Sequence, residues 1–389
     1  MIQRQYLSVF VTITTTFLLY LILVRSLTIE DFALYSFAFS FIGVVGVISE
    51  LGFKQYILTL HKRSDIEQTL RIFSFNLIVS FLSIIILLQI LYEDDILRTL
   101  SICALSYSLM ILFENYMAFK RALGNFDGEA NARILSRILL LLIVLAFSLM
   151  SLSVNYFIST FFIVSTIVLL YENAFRGLIP SFGKYFQTIK KVMPFFFQYV
   201  FFVIFFKVDI LLMEYFNAGS AYIANYALNF RIQDVFILLT IPSANFFLML
   251  VKDKSPEHNI RQHIWNHSYI VIFLSLIIYF LSFLFLEDLI GFFFGKNYEN
   301  VASIFLVFCF AIPFILFNSI ISQIIVLRNM IWFFTTGYFF ITFAKIFIFF
   351  FMFDGVSLKF PAYLNLSLEA IFSIYLLFLY IYSSRNKML

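Results

Sequence analysis

The chain has 389 residues, of which 62% are hydrophobic and 12% charged, about half the charged share of a soluble domain. A globule of that composition cannot hide its apolar surface from water, so its solvent is lipid and a soluble enzyme is excluded. The formal net charge of +4 is spread over short loops and does not point to nucleic acid.

Roughly 20 apolar residues cross a hydrocarbon core as a helix. Twelve stretches qualify: 6–24, 32–51, 72–92, 99–119, 138–154, 156–173, 193–213, 222–247, 268–286, 300–322, 331–353 and 360–382. Runs such as ILLLLIVLAF at 138–147 and IFIFF at 346–350 do not alternate apolar with polar, which excludes the strands of a barrel. The first stretch is read as a span and not as a removable leader, because LIL precedes Val24 where cleavage needs small residues. The fifth and sixth spans share nearly one continuous run, broken at Ser151–Asn155. The expected fold is therefore all-α and polytopic, with about twelve spans.

The basic loop FRGLIPSFGKYFQTIKKVMP lies near the midpoint and joins two six-helix halves, 1–180 and 181–389. FALYSFAF at 32–39 aligns with IANYALNF at 223–230, pairing Ala33 with Ala224, Tyr35 with Tyr226 and Phe39 with Phe230. At the same offset Gly52 falls opposite Ser243, beside Pro242. Halves with corresponding broken helices point to a transporter. Nineteen of the 26 Lys and Arg lie at the termini or in alternate loops on one side, against four on the other: Arg25, Arg98, Lys296 and Lys359. That bias places both termini in the cytoplasm.

Eight ionisable residues fall inside the spans: Glu50, Glu114, Lys207, Asp209, Arg231, Asp234, Lys345 and Glu369. A charge at the centre of a lipid-facing helix costs roughly 2.5–3.5 kcal/mol on insertion scales, so most of these must face the bundle interior. Lys207, Arg231 and Lys345 lie deepest; each suits a cavity cation or an interhelical ion pair that fixes packing. In the eighth span Asn225, Asn229 and Gln233 recur at i, i+4 and i+8, flanked by Tyr222 and Tyr226. Such a stripe binds sugar hydroxyls or hydrogen-bonds a neighbouring helix. In the twelfth span Asn365, Glu369 and Ser373 form a second stripe. Asp209 and Glu369 are the carboxylates expected to couple an ion flow to transport.

No GxxxxGK[ST] loop occurs, so no nucleotide site is expected, and no cofactor. Cys103 and Cys309 stand singly in apolar spans, and His61, His258, His263 and His267 lie in or beside cytoplasmic loops. Neither set suggests a metal site.

Several segments, in order, resemble the Wzx-type O-antigen and polysaccharide flippases of the multidrug/oligosaccharidyl-lipid/polysaccharide exporter superfamily. LVRSLTIEDFALYSFAFSFI at 23–42 looks like that family's first loop and second helix, with Arg25 at the loop's start. ELGFKQYIL at 50–58 resembles the exit of that helix, and FKRALGNFDGEA at 119–130 the motif closing the fourth. KVDILLMEYF at 207–216 with IANYALNFRIQD resembles the seventh and eighth helices, and FFFGKNYENVASIF at 292–305 the ninth loop. The chain is compact for the family, and Ala33 stands where many relatives have Gly.

The resemblance implies two halves around a central cavity in the bacterial inner membrane. Its substrate would be an undecaprenyl-diphosphate-linked oligosaccharide, carried from the cytoplasmic to the periplasmic leaflet. A polysaccharide polymerase and a chain-length regulator are the implied partners, besides membrane lipid. Arg25, Lys207, Arg231 and Lys345 would meet the diphosphate, and Asn225, Asn229, Gln233 and Tyr226 the sugars. Two other readings stand beside it: an ion-coupled drug exporter of the same superfamily, and a membrane O-antigen polymerase. The polymerase reading is weakened by the short outer loops, which carry only four cations.

Overall fold

A computed structural model of the chain describes residues 2–60, 62–174, 179–238, 257–298, 300–327, 330–353, 357 and 359–385. Among these residues the regular structure is helical throughout, without a strand. Contacts divide the chain into two compact units, Met1–Leu211 and Leu212–Leu389. The division falls within a helix of the seventh span, past the 180/181 position at which the sequence joins its halves.

The first unit holds α1 (Ile2–Ser26), α2 (Ile29–Val45), α3 (Val47–Glu50), α4 (Phe53–Thr59) and α5 (Arg63–Leu91). It continues through α6 (Asp94–Ala122), α7 (Phe126–Leu149), α8 (Val154–Tyr171) and most of α9 (Tyr185–Tyr215). Here α1 packs along α7, and α6 packs on α5, α8 and α4. The second unit holds α10 (Ser220–Leu238), α11 (Glu257–Phe294), α12 (Asn300–Leu327), α13 (Ile331–Met352) and α14 (Phe360–Arg385). At its centre is α12, against which α10, α11 and α14 pack.

Each of the twelve expected spans carries a helix over its described residues. Nine described helices are by themselves long and apolar enough to cross a membrane, and the bent pair α2 with α3–α4 makes a tenth. The chain is an all-α, multi-pass membrane protein. Its outward faces fit that reading: Leu82, Ile86 and Ile90 on α5, and Phe340, Phe347 and Phe351 on α13, are exposed apolar side chains at helical spacing. In lipid such residues need no cover.

Two helix boundaries differ from the sequence reading, for a shared reason. Helix α7 starts at Phe126, where the sequence placed a loop before a span at 138. Asn125 sets that start, its Oδ1 accepting the Gly128 amide at 3.0 Å. The first turns of α7 carry charges that depress hydropathy without interrupting the helix. Likewise the second span does not end at residue 51 but turns by 44° and continues as α4 to Thr59. The turn uses Leu51 and Gly52 in the left-handed region, with φ of 46° and 72°. By contrast the expected break between the fifth and sixth spans is present, with Ser151 at φ 52°.

The aligned pairs of the internal repeat, Ala33/Ala224, Tyr35/Tyr226 and Phe39/Phe230, are all buried, on α2 of one unit and α10 of the other. Pro242 and Ser243, His61, and the side chain of Asp234 lie outside the described residues.

Candidate functional site: the polar interior of each unit

In the first unit an ion network ties α4, α6 and α7 together. Glu129, Arg133 and Arg137 stand at i, i+4 and i+8, so they share one face of α7. Arg133 grips Glu114 of α6 with both terminal nitrogens, Nη1 to Oε1 at 2.9 Å and Nη2 to Oε2 at 3.0 Å. Its Nε reaches Glu129 at 3.0 Å. Lys54 of α4 adds a third bond to Glu114 at 3.1 Å, and Arg121 binds Glu129 through Nε at 3.0 Å and through Nη2. A neighbouring pair, Lys120 with Glu172, closes α6 on the end of α8, and Lys120 also donates to the Gly128 carbonyl at 3.3 Å. Planar guanidinium forks on carboxylates hold direction as well as charge.

Glu50 is buried at the bend between α3 and α4. Its carboxyl is hydrogen-bonded by the Tyr199 phenol of α9, which is also hydrogen-bonded with Tyr107 of α6. Asn76 of α5 fastens the same bend, donating from Nδ2 to the carbonyls of Ile48 at 3.2 Å and Ser49 at 3.0 Å. Tyr185 in turn donates to Asn76 Oδ1 at 2.8 Å. The carbonyls freed by the bend therefore find side-chain partners, as backbone groups in lipid must.

In the second unit the polar groups converge on α12 and α14. Asn318 donates from Nδ2 to Glu369 Oε2 at 2.7 Å, and Ser373 donates to Asn318 Oδ1 at 2.8 Å. Asn365 donates to the Tyr226 hydroxyl at 2.8 Å, and Tyr222 donates to the Ser357 carbonyl. Lys345 of α13 is wholly buried and is an electrostatic neighbour of Glu369. On α10 the Asn225 and Asn229 amides donate to the carbonyls one turn back, at 2.7 and 3.1 Å. The side-chain oxygens of Asn225, Asn229 and Gln233 are buried and accept no hydrogen bond among the described residues. They remain open acceptors.

The candidate residues thus fall into separate groups. Glu369, Lys345, Asn365 and Tyr226 share the interior of the second unit, as do the buried Asn225, Asn229 and Gln233. Arg231 belongs to the same unit and is half-buried. Lys207, half-buried, and Asp209, buried, sit on α9 in the first unit. Arg25 is exposed at the end of α1. Each of Arg25, Lys207, Asp209, Arg231 and Lys345 is engaged with a neighbouring group.

The sequence reading did not foresee the α7 network or Asn318. The Glu129–Arg133–Arg137 spacing was the available signal for the first, because oppositely charged residues at i+4 support a helix. Asn318 stands alone in an apolar run and offers no periodic signal.

No family model matches the chain, and no curated protein matches it in sequence. Among solved structures, an inward-facing multidrug resistance MATE family transporter of the MOP superfamily superposes with a TM-score of 0.71. It is 12% identical, with 96% of this chain and 95% of that one covered. The lipid II flippase MurJ, in an inward closed conformation, also gives 0.71 at 14% identity, covering 96% and 87%. The MATE transporter VcmN of Vibrio cholerae gives 0.63 at 13%, covering 99% and 97%. The fold is that of these transporters. At such low identity the likeness reaches the path of the chain and not the substrate.

Proposed function

We propose that the chain is a flippase of the bacterial inner membrane, moving an undecaprenyl-diphosphate-linked oligosaccharide of the O-antigen type to the periplasmic leaflet by alternating access. The observation that carries this reading is the excess of cations over carboxylates in the interior of the first unit. Lys54, Lys120, Arg121, Arg133 and Arg137 face Glu114, Glu129 and Glu172, with Glu50 held by a tyrosine. A low-dielectric interior with surplus positive charge attracts an anion far more strongly than water would. The open amide acceptors on α10 suit the hydroxyl donors of a sugar. Likeness to a lipid II flippase supports a lipid-linked cargo.

Within this proposal the functional halves are 1–180 and 181–389. Lys207, Arg231, Lys345 and Arg25 attend the diphosphate along its path, and Asp209 and Glu369 couple an inward cation flow. A polymerase and a chain-length regulator would act on the product. Removal of the chain from its cell, followed by complementation with Lys207→Ala or Arg231→Ala, tests the reading. The expected result is normal membrane insertion with surface polysaccharide lost. Full polysaccharide from both variants would contradict it.

A second reading, an ion-coupled exporter of small molecules, is favoured by the buried Glu50 and by likeness to multidrug transporters. It predicts that cells lacking the chain become sensitive to cationic dyes and keep their polysaccharide.

A further inference from the structure

Arg137 stands near the midpoint of α7, roughly 16 Å along the helix from Phe126 at about 1.5 Å per residue. Its electrostatic neighbours are Glu114 of α6, Arg133 one turn back on α7, and Tyr20 of α1. Yet Glu114 is already held by both terminal nitrogens of Arg133 and by Lys54. Glu129 is likewise taken by Arg121 and Arg133, and Glu172 by Lys120. Glu50, the remaining carboxylate, sits on α3 with Tyr199 as its hydrogen-bond partner. No carboxylate oxygen among the described residues comes within salt-bridge distance of Arg137. Among the described cations of this network it is the one without a carboxylate in salt-bridge reach.

A guanidinium kept half-buried inside a membrane helix without a carboxylate in salt-bridge reach is costly. We propose that Arg137, backed by the charge of Arg133, is a binding site in the first unit for the diphosphate of a lipid-linked substrate. The inference rests on the flippase reading above and adds to it a site in α7. A diphosphate ester carries two negative charges. Arg137 follows Arg133 by four residues, about 6 Å along α7, and Arg133, its nitrogens already on Glu114 and Glu129, adds positive charge behind it. The fork-shaped donors of Arg137 recognise phosphate oxygens in pairs. A monophosphate carries less charge along that turn, so the site discriminates between the two lipid carriers.

The test uses the full chain in nanodiscs, with undecaprenyl diphosphate and undecaprenyl monophosphate as probes and native mass spectrometry as readout. Wild-type protein is expected to bind the diphosphate at least about tenfold more tightly, a difference of about 1.4 kcal/mol. Arg137→Met erases that preference, while ligand-free protein unfolds at the wild-type temperature or above, since an unpaired charge has been removed. Arg137→Lys keeps part of the preference. If Arg137→Met does not fold, Arg137→Gln carries the same expectation. A full preference in the neutral variants overturns the site and leaves the flippase reading standing. A wild type that does not distinguish the two lipids overturns both.

Discussion

Glu114 accepts from a two-pronged guanidinium and an ammonium at once, and such a carboxylate cannot be neutralised without consequence. Glu114→Gln leaves Arg133 and Lys54 facing an amide inside the first unit. Removing one partner of a buried ion pair costs about 3–5 kcal/mol. The loop-side exposure of Lys54 sets the expectation at the lower end, about 3 kcal/mol, read as a fall in the thermal unfolding midpoint in detergent. Asn318→Ala should cost less, about 1–3 kcal/mol, since it strips the amide donor from the buried Glu369 and an acceptor from Ser373, but leaves no charge facing a charge. Glu369→Gln instead keeps a group of the same shape and should leave the protein folded.

At this scale the sequence was partly legible. The stripe Asn365, Glu369, Ser373 was visible from its spacing, and all three are buried as an inward face requires. The partners of that stripe were not legible, because Asn318 and Tyr226 meet it only through packing of α12 and α10. Arg133 and Arg137 were hidden for another reason: charges spread over the first half of a helix look like a loop to any hydropathy window.

Among the elements, the bend in the second span carries the clearest physical signature. Gly52 has φ 72°, and a β-carbon there would stand 2.6 Å from the Phe195 carbonyl carbon of α9. Gly52→Ala therefore combines left-handed strain of about 1–3 kcal/mol with a clash against backbone that has no flexible end to yield. The expected outcome is a large loss of folded protein on size-exclusion chromatography. Asn76→Leu, which releases the carbonyls of Ile48 and Ser49, should lower stability without abolishing folding. The sequence motif ELGFKQYIL marked the exit of a helix. The structure keeps the helix going through the bend, because Asn76, itself held by Tyr185, supplies from outside the hydrogen bonds that the break removes. A glycine announces that a turn is possible; its partners decide whether the chain stops.

For the whole molecule, composition alone required lipid as solvent, and each expected span holds a helix among its described residues. Topology follows from loop charge and is directly measurable. A reporter active only in the periplasm should be silent at Gly124 and Lys190 and active when fused at Asp94. Activity at Lys190 would break the arrangement of six spans in each half. Energy coupling belongs to the same scale: one elementary charge crossing the membrane supplies about 2.3 kcal/mol per 100 mV. In reconstituted vesicles Asp209→Asn with Glu369→Gln should remove the dependence of transport on an imposed proton or sodium gradient. Unchanged dependence in the double variant would leave neither carboxylate as the coupling site.

The central claim is that the cargo is an anionic lipid-linked sugar. Vesicles containing the purified chain and a fluorescent undecaprenyl-diphosphate oligosaccharide, with a membrane-impermeant quencher outside, measure its passage between leaflets. The expected result is protein-dependent translocation that Arg231→Ala and Lys207→Ala each reduce at least about tenfold, a barrier increase of about 1.4 kcal/mol. Vesicles that leave the oligosaccharide in its original leaflet, yet transport a cationic dye, would contradict it.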